Sequence, residues 1–289
     1  MLHPQRVFRA LLGNGRRQVR RATGLKPRPK APVVSADISS ALERHRWLCE
    51  RLRRLLPPDL ALAGARVCEA GAGDCLAAAA MLVGLGAAHA TLVEIEPAVI
   101  NEKQLQILAA LRKEGFPVEP DIIRATPRGY ELDGARVEYQ VGFMDDFVSK
   151  ERCDLVYSYC VLEHVENFDT FFGACFRTTA PGGRNLHVFD LGGHGMLEDP
   201  IPPLDFQTYP DWLYNLMYPP FHRATRRFLS DYLAAFERNG FVVETVTPLR
   251  TVDQDYYESI RPKLRPAARR VPEAELAVIE VAVLVRRPV

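Results

Sequence analysis

Within the 289 residues, Arg66–Asp74, read as RVCEAGAGD, constrains the fold more than any other stretch. Val67, Cys68 and the apolar residues just before them suit a short buried strand. Gly71 and Gly73 permit a tight turn and a close backbone approach that a bulkier side chain would block. Asp74 can cap the alanine-rich run Cys75–Val83, which predicts a helix. Strand, glycine turn and helix in this order is how α/β folds bind nucleotides at the carboxyl ends of their strands. A G-x-G turn alone is also a common tight connection, so the next strand decides how it is read.

That strand is Ala90–Ile95, ATLVEI, apolar and β-branched, with Glu94 and Glu96 at its end. A carboxylate about twenty residues beyond the glycines stands where ribose hydroxyls of an adenine nucleoside are bound. The sixth position of G-x-G-x-x-G is Leu76, too bulky for the close helix–strand packing around a pyrophosphate. The expected ligand carries adenosine but no diphosphate.

Further on, CDLVYSYCVLEHVENFDTFFGACFRTTAPGG at Cys153–Gly183 reads as a strand, L-E-H-V, a helix and a P-G-G turn. With E-A-G-A-G at Glu69–Gly73 and the acidic strand end at Glu94, this resembles class I S-adenosylmethionine-dependent methyltransferases, over roughly residues 65–190. The resemblance implies an α/β fold: a doubly wound, seven-stranded, mostly parallel sheet with an antiparallel final strand. It implies S-adenosyl-L-methionine as cofactor, held by Glu69, Gly71, Ala72 and Gly73 in the loop and by Glu94 and Ile95 after the second strand. Met144 and Asp145 after the third strand, and Tyr159 and Leu162 around the end of the fourth, complete that set. Two positions depart from the family pattern. Cys75 replaces a frequent third glycine, and Phe143 replaces an acidic residue that holds the adenine amino group, leaving Asp145 as substitute.

Composition bounds the function classes. Of 37 Lys and Arg, nine precede Asp37, where no acidic residue stands; the remainder holds 28 basic against 36 acidic residues. A mildly acidic body gives no support for a broad nucleic-acid surface. Residues 1–36 read as a basic flexible arm, with weak contact to an anionic surface or an acidic partner as the functional alternative. Six scattered cysteines without a C-x-x-C pair argue against zinc and redox motifs and for reduced thiols in a cytoplasmic protein. Arginine outnumbers lysine 31 to 6, which suggests a GC-rich, bacterial source.

Residues 37–289 are expected to form one methyltransferase-like domain. Asp37–Leu56 predicts a helix capped by Asp37 or Ser39, whose His45 or Arg46 either approaches the methionine carboxylate or lies on a solvated face. Pro97–Lys113 predicts a helix opening on proline. Gly115–Asp133 is a loop or small hairpin before strand three, Ala135–Val141. Strands four and five are Cys153–Tyr159 and Arg184–Asp190, with a helix at about Phe168–Thr179 between them. The insert at residues 192–220, with Phe206, Tyr209, Trp212 and Tyr214, is a candidate substrate lid or a long packed loop; Pro210–Met217 within it predicts a short helix. Thr225–Asn239 predicts a helix, and Phe241–Val246 and Ala277–Val285 predict the last two strands.

Methyl transfer from a sulfonium needs alignment and exclusion of water, and a base only where the nucleophile must lose a proton. His164, in Leu162-Glu163-His164-Val165, is the first candidate base, or else a packing residue beside the cofactor. His194 and Asp190, just past and at the end of strand five, are the next; His187 inside that strand reads as a core histidine. Asp145, Asp146 and Asp190 are not paired by any motif, so no metal is expected. The leading expectation is methylation, on oxygen, of a small-molecule or sugar-like acceptor. A non-catalytic cofactor-binding or scaffolding relative is the alternative. A nucleic-acid methyltransferase is weaker, because Ser158-Tyr159-Cys160 stands where amino-methylating enzymes have N-P-P-Y.

Overall fold

Arg66–Ala70 forms β1, buried from Val67 onward because its residues are covered on both faces. The computed structural model describes residues 37–73, 76–98, 100–193, 202–217 and 224–289. The basic arm, the proposed cap Asp74 and the candidate base His194 lie outside the described residues. In chain order, α1 (Ile38–Leu55) precedes β1, followed by α2 (Ala77–Gly84), β2 (His89–Glu94) and α3 (Glu102–Lys113). Then come β3 (Ile123–Thr126), β4 (Gly129–Leu132), β5 (Val137–Val141), β6 (Cys153–Tyr159), α4 (Phe168–Thr178) and β7 (Thr179–Asp190). The rest is α5 (Asp211–Met217), α6 (Leu229–Arg238), β8 (Val242–Thr251), α7 (Gln254–Ile260), α8 (Pro266–Arg269), α9 (Glu273–Leu276) and β9 (Val278–Arg286).

Seven strands form one sheet in the order β5-β2-β1-β6-β7-β9-β8. The strands from β5 to β7 run parallel, and β9 runs antiparallel to both β7 and β8. This is the doubly wound, mostly parallel sheet with an antiparallel final strand. The strand order reverses between β1 and β6, so the crevice for a ligand opens at the carboxyl ends of those two strands. Alternating sheet residues feed two cores. Val67, Leu92, Leu155 and Tyr157 pack with α1, α2 and α3, and Cys68, Val93, Val156 and Phe189 pack with α4 and α6.

Several boundaries differ from expectation for local reasons. Asp37 does cap α1, accepting from the Ser40 N–H at 2.9 Å. α3 starts at Glu102 instead of Pro97, because Asn101 and Gln104 close a reciprocal capping box. α2 starts at Ala77, with Leu76 at its N-cap and no side-chain cap. Pro181-Gly182-Gly183 is drawn into the start of β7, where α4 has already ended at Thr178. α6 starts at Leu229, four residues later than the apolar pattern suggested. Residues 123–132 resolve the loop-or-hairpin alternative as an antiparallel hairpin, β3–β4.

Candidate active site

The turn after β1 is shaped by two glycines with different surroundings. Gly71 has φ +77°, and its N–H donates to the Val93 carbonyl at 2.8 Å. A Cβ there would lie 2.2 Å from Val161 Cγ2, so this glycine is required by packing against the loop after β6. Gly73 has φ +59°, and among the described residues a Cβ there would meet nothing within 4 Å. The open space over the turn is at Gly73, with Ala72 buried between the two glycines.

Glu94, at the end of β2, turns its carboxylate onto this loop. Its Oε2 accepts from the Gly73 N–H and its Oε1 from the Ile95 N–H, both at 2.8 Å. Glu69 does not reach the rim. It is buried in β1 and accepts a 2.6 Å hydrogen bond from the hydroxyl of Tyr157, its register partner on β6. Burial pushes its carboxyl up to about 8, against the lowering effect of that hydrogen bond, so it is largely protonated at neutral pH.

Next to Glu94, Ile95, Val141 and Phe143 are each more than half exposed around the ends of β2 and β5. The Gly142 N–H donates to the Glu94 carbonyl at 2.8 Å, which holds the two strand ends together. Met144 is buried behind them with Phe147. Asp145 is partly buried, accepts from Thr170 Oγ1 at 3.2 Å, and burial raises its carboxyl above the ordinary range.

On the far side of the strand-order reversal the site is polar. The sulfur of Cys160 and carboxylate oxygens of Glu163 and Asp190 all lie within 4.8 Å of one another. Asp190 pairs in register with Glu280 of β9, and Glu280 holds Arg51 of α1 at 2.7 Å. Arg250 approaches both, at 3.7 Å from Asp190 and 3.9 Å from Glu280. Tyr159 donates to Glu280 at 3.4 Å and meets the edge of Trp47 with ring centroids 5.5 Å apart. His164 is exposed on the short 3-10 turn Leu162–His164, whereas Leu162 is fully buried and its carbonyl accepts from Tyr232.

This geometry can be set against known proteins. Residues 41–246 match the profile of a methyltransferase domain family. The chain belongs to that family. Among solved structures, the methyltransferase of a Haloferax volcanii complex with the Trm112 methyltransferase activator is similar at 15% identity and a TM-score of 0.50, over 89% of this chain and 96% of that one. An S-adenosylmethionine-dependent methyltransferase from Mesorhizobium loti has 19% identity and a TM-score of 0.49, over 85% and 100%. Phosphoethanolamine N-methyltransferase 2 of Haemonchus contortus, solved with S-adenosyl-L-methionine, has 16% identity and a TM-score of 0.46, over 85% of this chain and 53% of that one. A search of the curated proteins found no match.

The sequence resemblance makes S-adenosyl-L-methionine the expected cofactor of this methyltransferase domain. The residues present suit it: the space over Gly73, a carboxylate at the second strand end and the exposed apolar group Ile95, Val141 and Phe143 match a nucleoside with a ribose diol and an aromatic base. His45 and Arg46 are engaged elsewhere. His45 is buried with Nδ1 2.6 Å from the Ala41 carbonyl, and Arg46 forms a two-pronged pair with Glu114. His187 is a core histidine, as expected: Nδ1 is 2.8 Å from Ser158 Oγ, the ring stacks on Phe236, and burial lowers it to about 3. Sequence reasoning missed Cys160, Glu163, Arg51, Glu280 and Tyr139. Only Glu163, inside L-E-H-V at a strand end, carried a local signal. The described residues contain no helix long and apolar enough to cross a membrane.

Proposed function

We propose that this methyltransferase methylates a hydroxyl oxygen of a small-molecule or sugar-like acceptor. The observation that carries the proposal is the make-up of the wall beyond the strand-order reversal. Trp47, 45% exposed, offers aromatic surface with Arg51 over its ring, while the exposed Arg250 and the partly exposed Asp190 offer donors and an acceptor to a polyhydroxylated molecule, and the buried Arg51–Glu280 pair anchors this wall. S-adenosyl-L-methionine, when bound, supplies a methyl group on a sulfonium that a positioned nucleophile can displace. The chain's part is to align the acceptor hydroxyl and keep water out, worth on the order of 7–11 kcal/mol at best.

In this reading Gly71, Ala72, Gly73, Glu94 and Ile95 hold the cofactor on one side of the crevice, with Met144 and Asp145 at the adenine end and Tyr159 and Leu162 beside the reacting group. His164, His194 or Asp190 takes the hydroxyl proton. The insert at residues 192–220 acts as the lid, and residues 1–36 are a separate basic arm. Residues 202–217 support a covering role. A Cβ on Gly193, just past β7, would lie 3.1 Å from Phe206, so this segment is packed directly on the strand end. The test is incubation with methyl-labelled cofactor and a panel of sugars, glycosides and phenols, with product analysis by mass spectrometry and by the methyl carbon shift. Methyl groups found only on nitrogen or sulfur would defeat the proposal.

A further inference from the structure

Tyr139 sits on β5, register partner of Leu92 and two residues before Val141, the partner of Glu94. Its ring packs on the core beneath β2, and its hydroxyl emerges between the two loops that bound the cofactor crevice. That oxygen is 2.9 Å from the carbonyl of Gly73 and 3.0 Å from the carbonyl of Glu96. A phenol has one proton and both neighbours are acceptors, so a single O–H draws two carbonyls, from the β1–α2 turn and from the segment after β2, onto one point. The Gly73 N–H is meanwhile held by Glu94. The peptide groups on both sides of Gly73 are therefore anchored, one to the end of β2 and one to β5.

We infer that Tyr139 is a positioning residue that sets the glycine turn in its cofactor-accepting conformation before the cofactor arrives. The inference rests on Gly73 and Glu94 forming the cofactor site. Among the described residues, a Cβ on Gly73 would meet nothing within 4 Å, so side-chain hydrogen bonds, and not packing, hold the turn there. Without the clasp it would sample other conformations, and binding would have to select the competent fraction. Losing the hydroxyl removes hydrogen bonding worth about 1 kcal/mol, which corresponds to a roughly fivefold weaker cofactor complex.

The experiment is calorimetric titration of S-adenosylhomocysteine into the full chain, native, Tyr139→Phe and Glu94→Ala, with thermal melts, steady-state kinetics and amide hydrogen exchange. Tyr139→Phe is expected to raise Kd by about fivefold, to raise KM for S-adenosylmethionine more than it lowers kcat, and to speed exchange in the glycine turn while the melting midpoint holds. A Kd within about twofold of native overturns the inference, as does a variant that loses the fold, since the hydroxyl would then serve global stability. If Glu94→Ala binds as tightly as the native chain, the cofactor-site assignment itself fails. If Glu94→Ala binds weakly and Tyr139→Phe binds normally, only the clasp fails.

Discussion

The N–H of Gly73 and the carboxylate of Glu94 are 2.8 Å apart, so the turn after the first strand and the end of the second are joined by a charge-assisted hydrogen bond. In the proposed cofactor site Glu94 thus has two tasks, shaping the turn and presenting its remaining lone pairs to a ribose. Glu94→Ala is expected to weaken cofactor binding by about 1.5–3 kcal/mol, read by calorimetry. Glu96 contributes its carbonyl to the Tyr139 clasp, so Glu96→Ala is expected to cost far less.

The two glycines are expected to fail differently when replaced by alanine. Gly71→Ala drives a methyl into Val161 at a backbone angle of +77° and should destabilise the fold, with Val161→Ala in the same chain recovering the steric share. Gly73→Ala meets no neighbour among the described residues and should cost only the left-handed backbone penalty of about 1–2 kcal/mol, while cofactor affinity is expected to fall further because the methyl enters the proposed ligand space. Melts and titrations on the same two proteins separate the cases.

Glu69 gives stability a pH dependence. Its folded value of about 8 lies above the ordinary 4.5, so the folded chain holds a proton that the unfolded chain has lost between those values. Stability is full below about pH 4.5 on this account and is lost as pH rises through 8, by at most about 1.4 kcal/mol per pH unit. Glu69→Gln keeps an acceptor for Tyr157 and is expected to flatten the fall in melting temperature between pH 5 and 8. An unchanged slope would mean that Glu69 ionises freely in the fold.

The aromatic residues of the insert are not equivalent. Tyr214 is buried with Phe206, Tyr209 and Met217, donates to the Ala224 carbonyl at 2.8 Å and carries Arg226 over its ring. Tyr214→Ala is expected to cost about 3–5 kcal/mol of stability. Trp212 is 68% exposed. Trp212→Ala should leave the melt within about 0.5 kcal/mol of native and reveal itself only in turnover, if this segment faces the acceptor.

Features written in contiguous residues were legible in the sequence: the glycine turn, Glu94 at a strand end, the strands flanking the L-E-H-V and P-G-G landmarks. They depend on local periodicity and backbone freedom, which sequence carries directly. The start of α3 was also legible in Asn101 and Gln104, but Pro97 offered a competing start signal that the capping box overrode. Composition gave the insert its aromatic area without saying which rings face inward. Arg51 with Glu280, Cys160 with Asp190, and Tyr139 with Gly73 come from segments distant in the chain. Only the sheet order and the packing of α1 on it bring them together, so no spacing rule could have paired them.

The position of β9 between β7 and β8 has a bearing on synthesis. Residues 278–286 follow every other strand of the sheet in the chain, yet two strands depend on them for their ladders. As the chain leaves the ribosome, the crevice that receives the cofactor can close around β1, β2, β5 and β6 while β7 shows a bare edge and β8 has no sheet neighbour. Glu280, which holds Arg51 at the other wall, arrives with that same late strand. A nascent chain halted before residue 278 would therefore lack both the strand that joins β7 to β8 and the carboxylate that holds Arg51.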